Sequence, residues 1–352
     1  MKNFDTRAYN ISDFVEWDAT SLLELSPQFQ RRSVWTEKAK SYLIDTIIRG
    51  KPIPKVLITQ TLNLGRNVRT VVDGQQRLRA ILSFIKGDFK ISRAHNREFA
   101  GRRYAELPEE VQSEFLKYEI GVDMLFDLSF EDILDVFARL NTYSVKLNPQ
   151  ELLNAQYLGF FKQSAYHLGF RYVRYWIEGG VVSEKTVTRM AEAELSSDLL
   201  GALVEGVQSK KAIPNLYKKY DDDENVVARA EEQFDSVMAV IGEVYPTDEL
   251  MVSNFARIHF FYSLFCSVAH CMFGIGGLED APRPALNQQN LGVLRSVLDE
   301  ISARYDEVTA KDAVAPDDDY RAFIEASRRA TTDLSSRKLR STFICELINR
   351  AL

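Results

Sequence analysis

The stretch TVVDGQQRLRAILSFI, Thr70 to Ile85, holds the densest candidate chemistry in the sequence: Asp73, Gly74, Gln75, Gln76 and Arg77. These residues fall where a strand-like apolar run gives way to a helical one. Asp73 suits Mg²⁺, which is usually bound through one or two carboxylates together with substrate phosphates. The N–H groups and positive dipole end of a helix starting near Gly74 attract phosphate. Arg77, one turn in, adds a charge-assisted contact to a phosphate oxygen. Gln75 or Gln76 can orient an attacking water, a role glutamine plays in other nucleotide hydrolases. A plainer reading competes: Asp73 as N-cap and Gln76 three residues on make a capping box, with Gly74 easing the turn. Capping leaves Gln75 and Arg77 without a task.

The elements that must position this loop follow from periodicity. KVLITQ (55–60) and VRTVVD (68–73) read as strands joined by a turn at NLGRN, and YEIGVDMLF (118–126) reads as a third strand. TEKAKSYLIDTIIRG spaces Leu43, Ile44, Ile47 and Ile48 as a helix ending at Gly50. Leu78, Ile81, Leu82 and Ile85 form the apolar stripe of the helix after DGQQR. From about Val181 strand signals fade. Helical patterns then run to the end, broken by DDDEN (221–225), GIGGLEDAPRP and PDDD (316–319). The chain therefore reads as α+β, a mixed α/β domain over 1–180 followed by an all-α helical domain over 181–352.

Three further segments extend the pattern: PQFQRRSVW, LIDTIIRGKPIP and DVFARLNTYSVKLNPQELLNAQYLG. Together with VVDGQQRLRAILSF they resemble the ParB-like domain of GmrSD-type restriction enzymes, over roughly Ile11 to Phe161. Gly74-x-x-Arg77-x-x-Ala80 is also similar to the motif with which ParB proteins contact nucleotide phosphates. The resemblance implies a ParB/sulfiredoxin-like fold joined to a helical region, NTP hydrolysis and defence against foreign DNA. It places Gln30 and Arg31 near the nucleotide, Asp73 to Arg77 in the signature loop, Arg139 and Asn141 in the pocket, and Glu151 with Asn154 in the helix that follows. Two positions depart from the family pattern. Tyr143-Ser144 replaces a glycine pair, which implies a stiffer loop, and Leu153 replaces an arginine, which removes one positive contact. Part of the second signature also reads as helix initiation, with Asn148 as N-cap, Pro149 at the first position and Glu151 as the capping-box acid. Ser129 and Asp132 do likewise for the helix before it, which Asn141 ends as a C-cap or a ligand contact.

Composition narrows the rest. A net charge of -6 argues against coating nucleic acid through bulk charge. Three cysteines argue against a disulfide framework and suit the cytoplasm. No G-x-x-x-x-G-K-[ST] loop is present, so an ordinary P-loop is excluded. FFYSLFCSVAHCMFGIGG (260–277) approaches membrane-spanning length, but its Ser263, Ser267 and His270 favour a buried helix. On that helix Cys266, His270 and Cys271 read as core rather than as zinc ligands. His95-Asn96 resembles the His-Asn-His nucleases only superficially, with no second histidine nearby. SRAHNREFAGRRY, RYVRYW and KKAIPNLYKKY mix cations with aromatic rings, as nucleic-acid surfaces or as solvated faces.

The resulting expectation is a cytoplasmic, Mg²⁺-dependent NTP-binding and NTP-hydrolysing sensor of a bacterial defence system. Its catalytic residues are Asp73, Gln75, Gln76 and Arg77, and its nucleotide-binding residues are Gln30, Arg31, Gly74, Arg77, Arg139 and Asn141. Asp73 takes the metal. GTP, ATP and CTP are not distinguished. DNA and a separate partner nuclease are the expected partners, no membrane is involved, and a homo-oligomer is left open. The competing readings are a nucleotide-switched adaptor without turnover and a metal-dependent nuclease.

Overall fold

The computed structural model describes residues 4–25, 35–63, 65–126, 132, 136, 148–310 and 318–352. The chain divides into two compact units, Met1–Lys146 and Leu147–Leu352. The sequence reading set the change at 180. The difference is the helix Phe160–Glu178, whose Phe161, Leu168 and Trp176 are buried in the core of the second unit.

The first unit contains a five-stranded sheet in the order β1-β5-β3-β4-β2. Its strands are β1 (Phe4–Asn10), β2 (Leu23–Glu24), β3 (Val56–Asn63), β4 (Arg66–Asp73) and β5 (Glu119–Phe126). β3 and β4 form the expected antiparallel hairpin, β5 runs parallel to β3, and β1 closes one edge antiparallel to β5. Among the described residues four α-helices accompany it: α1 (Ile11–Ala19), α2 (Glu37–Ile48), α3 (Gln75–Ile85) and α4 (Glu109–Lys117). Val56, Ile58, Val71, Ile120, Val122 and Met124 meet Phe14, Ile44, Ile47, Leu78, Ile81 and Phe115 of these helices in one core. Removing each such side chain from water contributes roughly 1.5–3 kcal/mol. Thr36 starts α2 by accepting from Ala39 N at 3.2 Å, and Gly50 follows its end with φ +63°.

One irregularity in β4 matters for the site. Leu57 pairs with Asp73 and Ile58 with Val71, so Val72 is the extra residue of a bulge. Val71 enters the helix-covered core, while Val72 joins Leu57 and Leu125 in a separate small cluster. A bulge bends its strand and re-aims the side chains around it. Here it sits directly before the polar loop.

The described part of the second unit is helical: α5 (Pro149–Gln156), α6 (Phe160–Glu178), α7 (Glu184–Val187), α8 (Ala191–Val204), α9 (Ile213–Lys219), α10 (Glu224–Val244), α11 (Thr247–Val252), α12 (Ile258–Phe273), α13 (Leu291–Thr309), α14 (Asp318–Arg328) and α15 (Leu334–Ala351). α12 is the central rod, buried from Phe260 through Cys271. Its serines are satisfied locally: Ser263 Oγ donates to His259 O and Ser267 Oγ to Ser263 O. Among the described residues no helix is long and apolar enough to cross a membrane.

Two polar devices hold this unit together. Arg337 on α15 makes a two-pronged pair with Asp198 on α8, at 2.7 and 2.6 Å, with both side chains almost fully buried. The guanidinium also lies over the Tyr262 ring, 3.8 Å from its centroid. The second device is the acidic DDDEN turn. Asp221 accepts from Gly159 N and Phe160 N at the start of α6, through Oδ1 at 2.7 Å and its carbonyl at 2.9 Å. Asp223 caps α10 by accepting from Val226 N. Carboxylates at helix N-termini are favoured by the dipole. A stretch that reads as a break thus serves as a double cap.

Candidate functional site

The signature loop is built by β4 running into α3. Asp73 ends the strand, and Gly74 takes the N-cap position in the left-handed conformation, φ +91°. This corrects the capping-box reading, because β4 keeps its pairing with Leu57 through Asp73 and the chain turns one residue later. Gly74 has no side chain with which to cap, so the first turn of α3 has no side-chain acceptor at its N-cap. The glycine is demanded twice over. Its φ is one that L-residues rarely adopt. A Cβ there would also lie 2.9 Å from Arg77 Nη2 and 3.0 Å from Val56 Cγ2.

Arg77 folds back over this glycine. Its Nη2 donates to Lys55 O at 2.9 Å and to Asp73 Oδ2 at 3.2 Å. Arg77 is mostly covered, with 16% of its side chain exposed, whereas Asp73 is 52% exposed. Arg77 Nε is buried without a partner among the described residues. The two charges are therefore adjacent and open to solvent on the carboxylate side. Among the described residues Asp73 engages only Oδ2, so Oδ1 remains for a cation, as the donor set for Mg²⁺ requires.

The two glutamines diverge. Gln75 is fully buried, its Nε2 donating to Val71 O at 2.8 Å and its Oε1 lacking a partner among the described residues. Gln76 is half-buried, with Oε1 3.5 Å from Trp35 N. It also lines an open cavity of about 310 Å³ together with Lys40, Arg79, Ser83 and Lys86. Positions 76, 79, 83 and 86 recur at helical spacing, so α3 shows one face to this cavity and turns Arg77 toward the hairpin.

Two residues join the loop that sequence reasoning passed over. Lys55 supplies the carbonyl that holds Arg77, and its Nζ reaches Asp123 Oδ1 on β5 at 3.1 Å. Asp123 also accepts from Thr6 Oγ1 on β1 at 2.6 Å. Leu57 pairs with Asp73 on one side and Asp123 on the other. Only strand register reveals that relation, and no local pattern signals it.

Gln30, Arg31, Arg139, Asn141, Tyr143, Ser144 and Ser129 lie outside the described residues. From Asn148 onward the second signature is described, and its side chains start and pack α5. Asn148 and Glu151 form the expected capping box, with Asn148 Oδ1 accepting from Glu151 N at 2.8 Å and Glu151 Oε2 from Asn148 N at 2.6 Å. Arg189 adds a fork to Glu151 at 2.8 and 3.0 Å. The Asn148 backbone and then Arg189 hold the Glu151 carboxyl below its ordinary range. Leu153 packs against the helical core, a contact an arginine would not make.

The remaining sequence candidates resolve into packing. His95 and Asn96 are buried; His95 Nδ1 meets Ser41 Oγ at 2.9 Å, and Asn96 Nδ2 donates to Asp45 Oδ1 at 2.8 Å. In RYVRYW, Arg171 pairs with Asp235, Tyr172 donates to the same acid, and Trp176 is buried. In KKAIPNLYKKY, Lys210 and Lys219 pair with Glu194 and Glu205, and Tyr217 is buried. His270 Nδ1 accepts from Ile275 N within the core. Among the described residues no three His, Cys, Asp or Glu side chains gather as a protein-only metal site.

Residues 15–158 match the family described as the GmrSD restriction endonuclease, N-terminal domain. This segment is a GmrSD N-terminal domain. The match takes in the sheet from β2 onward, the DGQQR loop and α5, and it associates the chain with restriction-type systems. No curated protein gives a significant match to the chain. Within the GmrSD N-terminal domain, then, Asp73, Gly74 and Arg77 share one corner, Gln76 opens on an adjacent cavity, and Gln75 is enclosed.

Proposed function

We propose that the first unit binds a nucleoside triphosphate at the start of α3 and hydrolyses it with Mg²⁺, as the sensor of a restriction-type defence system. The observation that carries this reading is the helix start at Gly74, left without a side-chain cap and flanked by a solvent-open Asp73 and a fixed Arg77. The N–H groups of the first turn would hold phosphate through hydrogen bonds and the dipole. Arg77 Nη1, which has no partner among the described residues, would add a charge-assisted bond. Asp73 would hold the metal, which when bound neutralises phosphate charge. Of the two glutamines, the half-buried Gln76 rather than the enclosed Gln75 would orient water. The resemblance adds Gln30, Arg31, Arg139 and Asn141 as further nucleotide contacts. The sensor would act in the cytoplasm on foreign DNA, with a separate effector nuclease making the cut.

Phosphate release by the full chain from GTP, ATP and CTP with Mg²⁺ tests this, with Asp73→Ala and Arg77→Ala as controls. Loss of turnover in both is expected. Turnover that persists in both removes the loop from the mechanism. A second reading, a nucleotide switch without turnover, is favoured by the enclosure of Gln75, which leaves a single candidate for positioning water. Nucleotide binding without phosphate release would select it.

A further inference from the structure

The segment between α3 and α4 stands out in a chain of net charge -6. Residues 86–104 carry six Lys or Arg and only two Asp or Glu. Apart from a short turn at Tyr104 it has no regular element, yet its backbone is pinned. Ser92 N donates to Ser41 Oγ at 2.7 Å on α2, Asn96 Nδ2 reaches Asp45, and Asn96 Oδ1 accepts from Phe99 N at 3.0 Å. Ile91 and the 101–102 backbone close the two ends, with Gly101 N donating to Ile91 O at 2.8 Å and Ile91 N to Arg102 O at 3.0 Å.

This pinning sorts the side chains. Phe89 and Phe99 turn inward and are buried, and Tyr104 donates to Gln112 O. The cations turn outward: Lys90, Arg97 and Arg102 are exposed and have no carboxylate partner among the described residues. A surface for single-stranded nucleic acid needs exposed rings on which bases stack. Here the rings are spent on the core. What remains is a set of exposed cations on a pinned backbone, which suits phosphates and reads no base.

We propose that residues 86–104 form a docking surface for double-stranded DNA, held through its phosphates by Lys90, Arg97 and Arg102. This rests on the DNA-directed part of the function proposed above and assigns that contact to the first unit. The loop is ordered before binding, so little ordering cost opposes the contact. An acidic protein partner would also be drawn to such charge, but the lack of any exposed apolar anchor within 86–104 favours DNA.

The test is binding of the full chain to a 20–30 base-pair duplex of arbitrary sequence at several salt concentrations. Each phosphate contact contributes about -0.9 to the slope of log K against log salt. The variant K90A/R97A/R102A is expected to lower the slope magnitude by about 3 and to weaken binding by about 10²-fold at 0.1 M salt. Duplex is expected to bind more tightly than a single strand of equal length. An unchanged slope in a variant with the wild-type melting temperature overturns the proposal, and so does tighter binding of the single strand or no duplex binding by the wild type. Phosphate release in the same variant keeps the two readings apart. The substituted residues lie outside the nucleotide loop, so turnover absent already in the wild type speaks only against hydrolysis.

Discussion

Arg77 ties the end of β4 to the residue that precedes β3: one nitrogen, Nη2, bonds both Asp73 Oδ2 and Lys55 O. The same guanidinium lies where a side chain at position 74 would go. Loop conformation and arginine placement are thus a single arrangement, and disturbing either disturbs both.

Gly74→Ala is expected to be costly for its size. It forces an L-residue to φ +91° and drives a methyl into Arg77 Nη2. Strain of this kind costs about 1–3 kcal/mol. The urea midpoint should fall by the corresponding amount at unchanged slope, with nucleotide affinity reduced alongside. Arg77→Lys is expected to lose most of the affinity as well, since an ammonium cannot span both acceptors and still meet a phosphate. Wild-type stability in Gly74→Ala would contradict this picture of the corner.

The buried pair of Asp198 and Arg337 supports a second prediction, in the helical unit. Removing one partner strands the other charge in the core, which costs about 3–5 kcal/mol. Asp198→Ala and Arg337→Ala should each lower the unfolding midpoint sharply. The double replacement Asp198→Leu with Arg337→Met should recover much of that loss, because two desolvated charges are replaced by apolar volume. A double variant as unstable as the sum of the singles would show that the two residues are not coupled, against the stranded-charge account.

His259 makes the helical unit sensitive to acid. Burial, followed by the nearby Arg340 and Arg257, lowers its pKa from 6.5 to about 4. The unfolded chain therefore takes up this proton at a higher pH than the folded one. Stability falls as pH drops from 6.5 toward 4, by up to about 1.4 kcal/mol per pH unit. His259→Gln should flatten this part of the profile. Equal pH dependence of melting in variant and wild type between pH 7 and 4.5 would exclude the histidine as its source.

The sequence revealed the elements that have a face to bury. β3, β4, β5, α2 and α3 were legible because Ile58, Val71, Val122, Ile44 and Leu78 recur at the spacing of their elements. β1 was missed: FDTRAYN is a half-exposed edge strand with no alternating pattern, and it pairs with a strand more than a hundred residues away. At the site, residue types singled out one loop. They could not show that the strand continues through Asp73, that Gln75 turns inward while Gln76 does not, or that Lys55 and Asp123 flank it. Those facts depend on the bulge and on the register of three strands. The helix Phe160–Glu178 fell in the first domain because the boundary was set where strand signals fade, near Val181, and no local signal marks which core receives its apolar side.

The double cap at Asp221 has a topological corollary. Gly159 meets Asp221 at a sequence separation of 62, with Phe160 beside it, so α6 through α9 leave and return at nearly one point. Such a segment closes on itself at its base while its apolar side chains, Phe161, Leu199 and Leu216 among them, stay in the common core and Asp198 stays paired with Arg337. The glycine at that base, where a Cβ would lie 1.8 Å from Asp221 O, is the residue least free to vary.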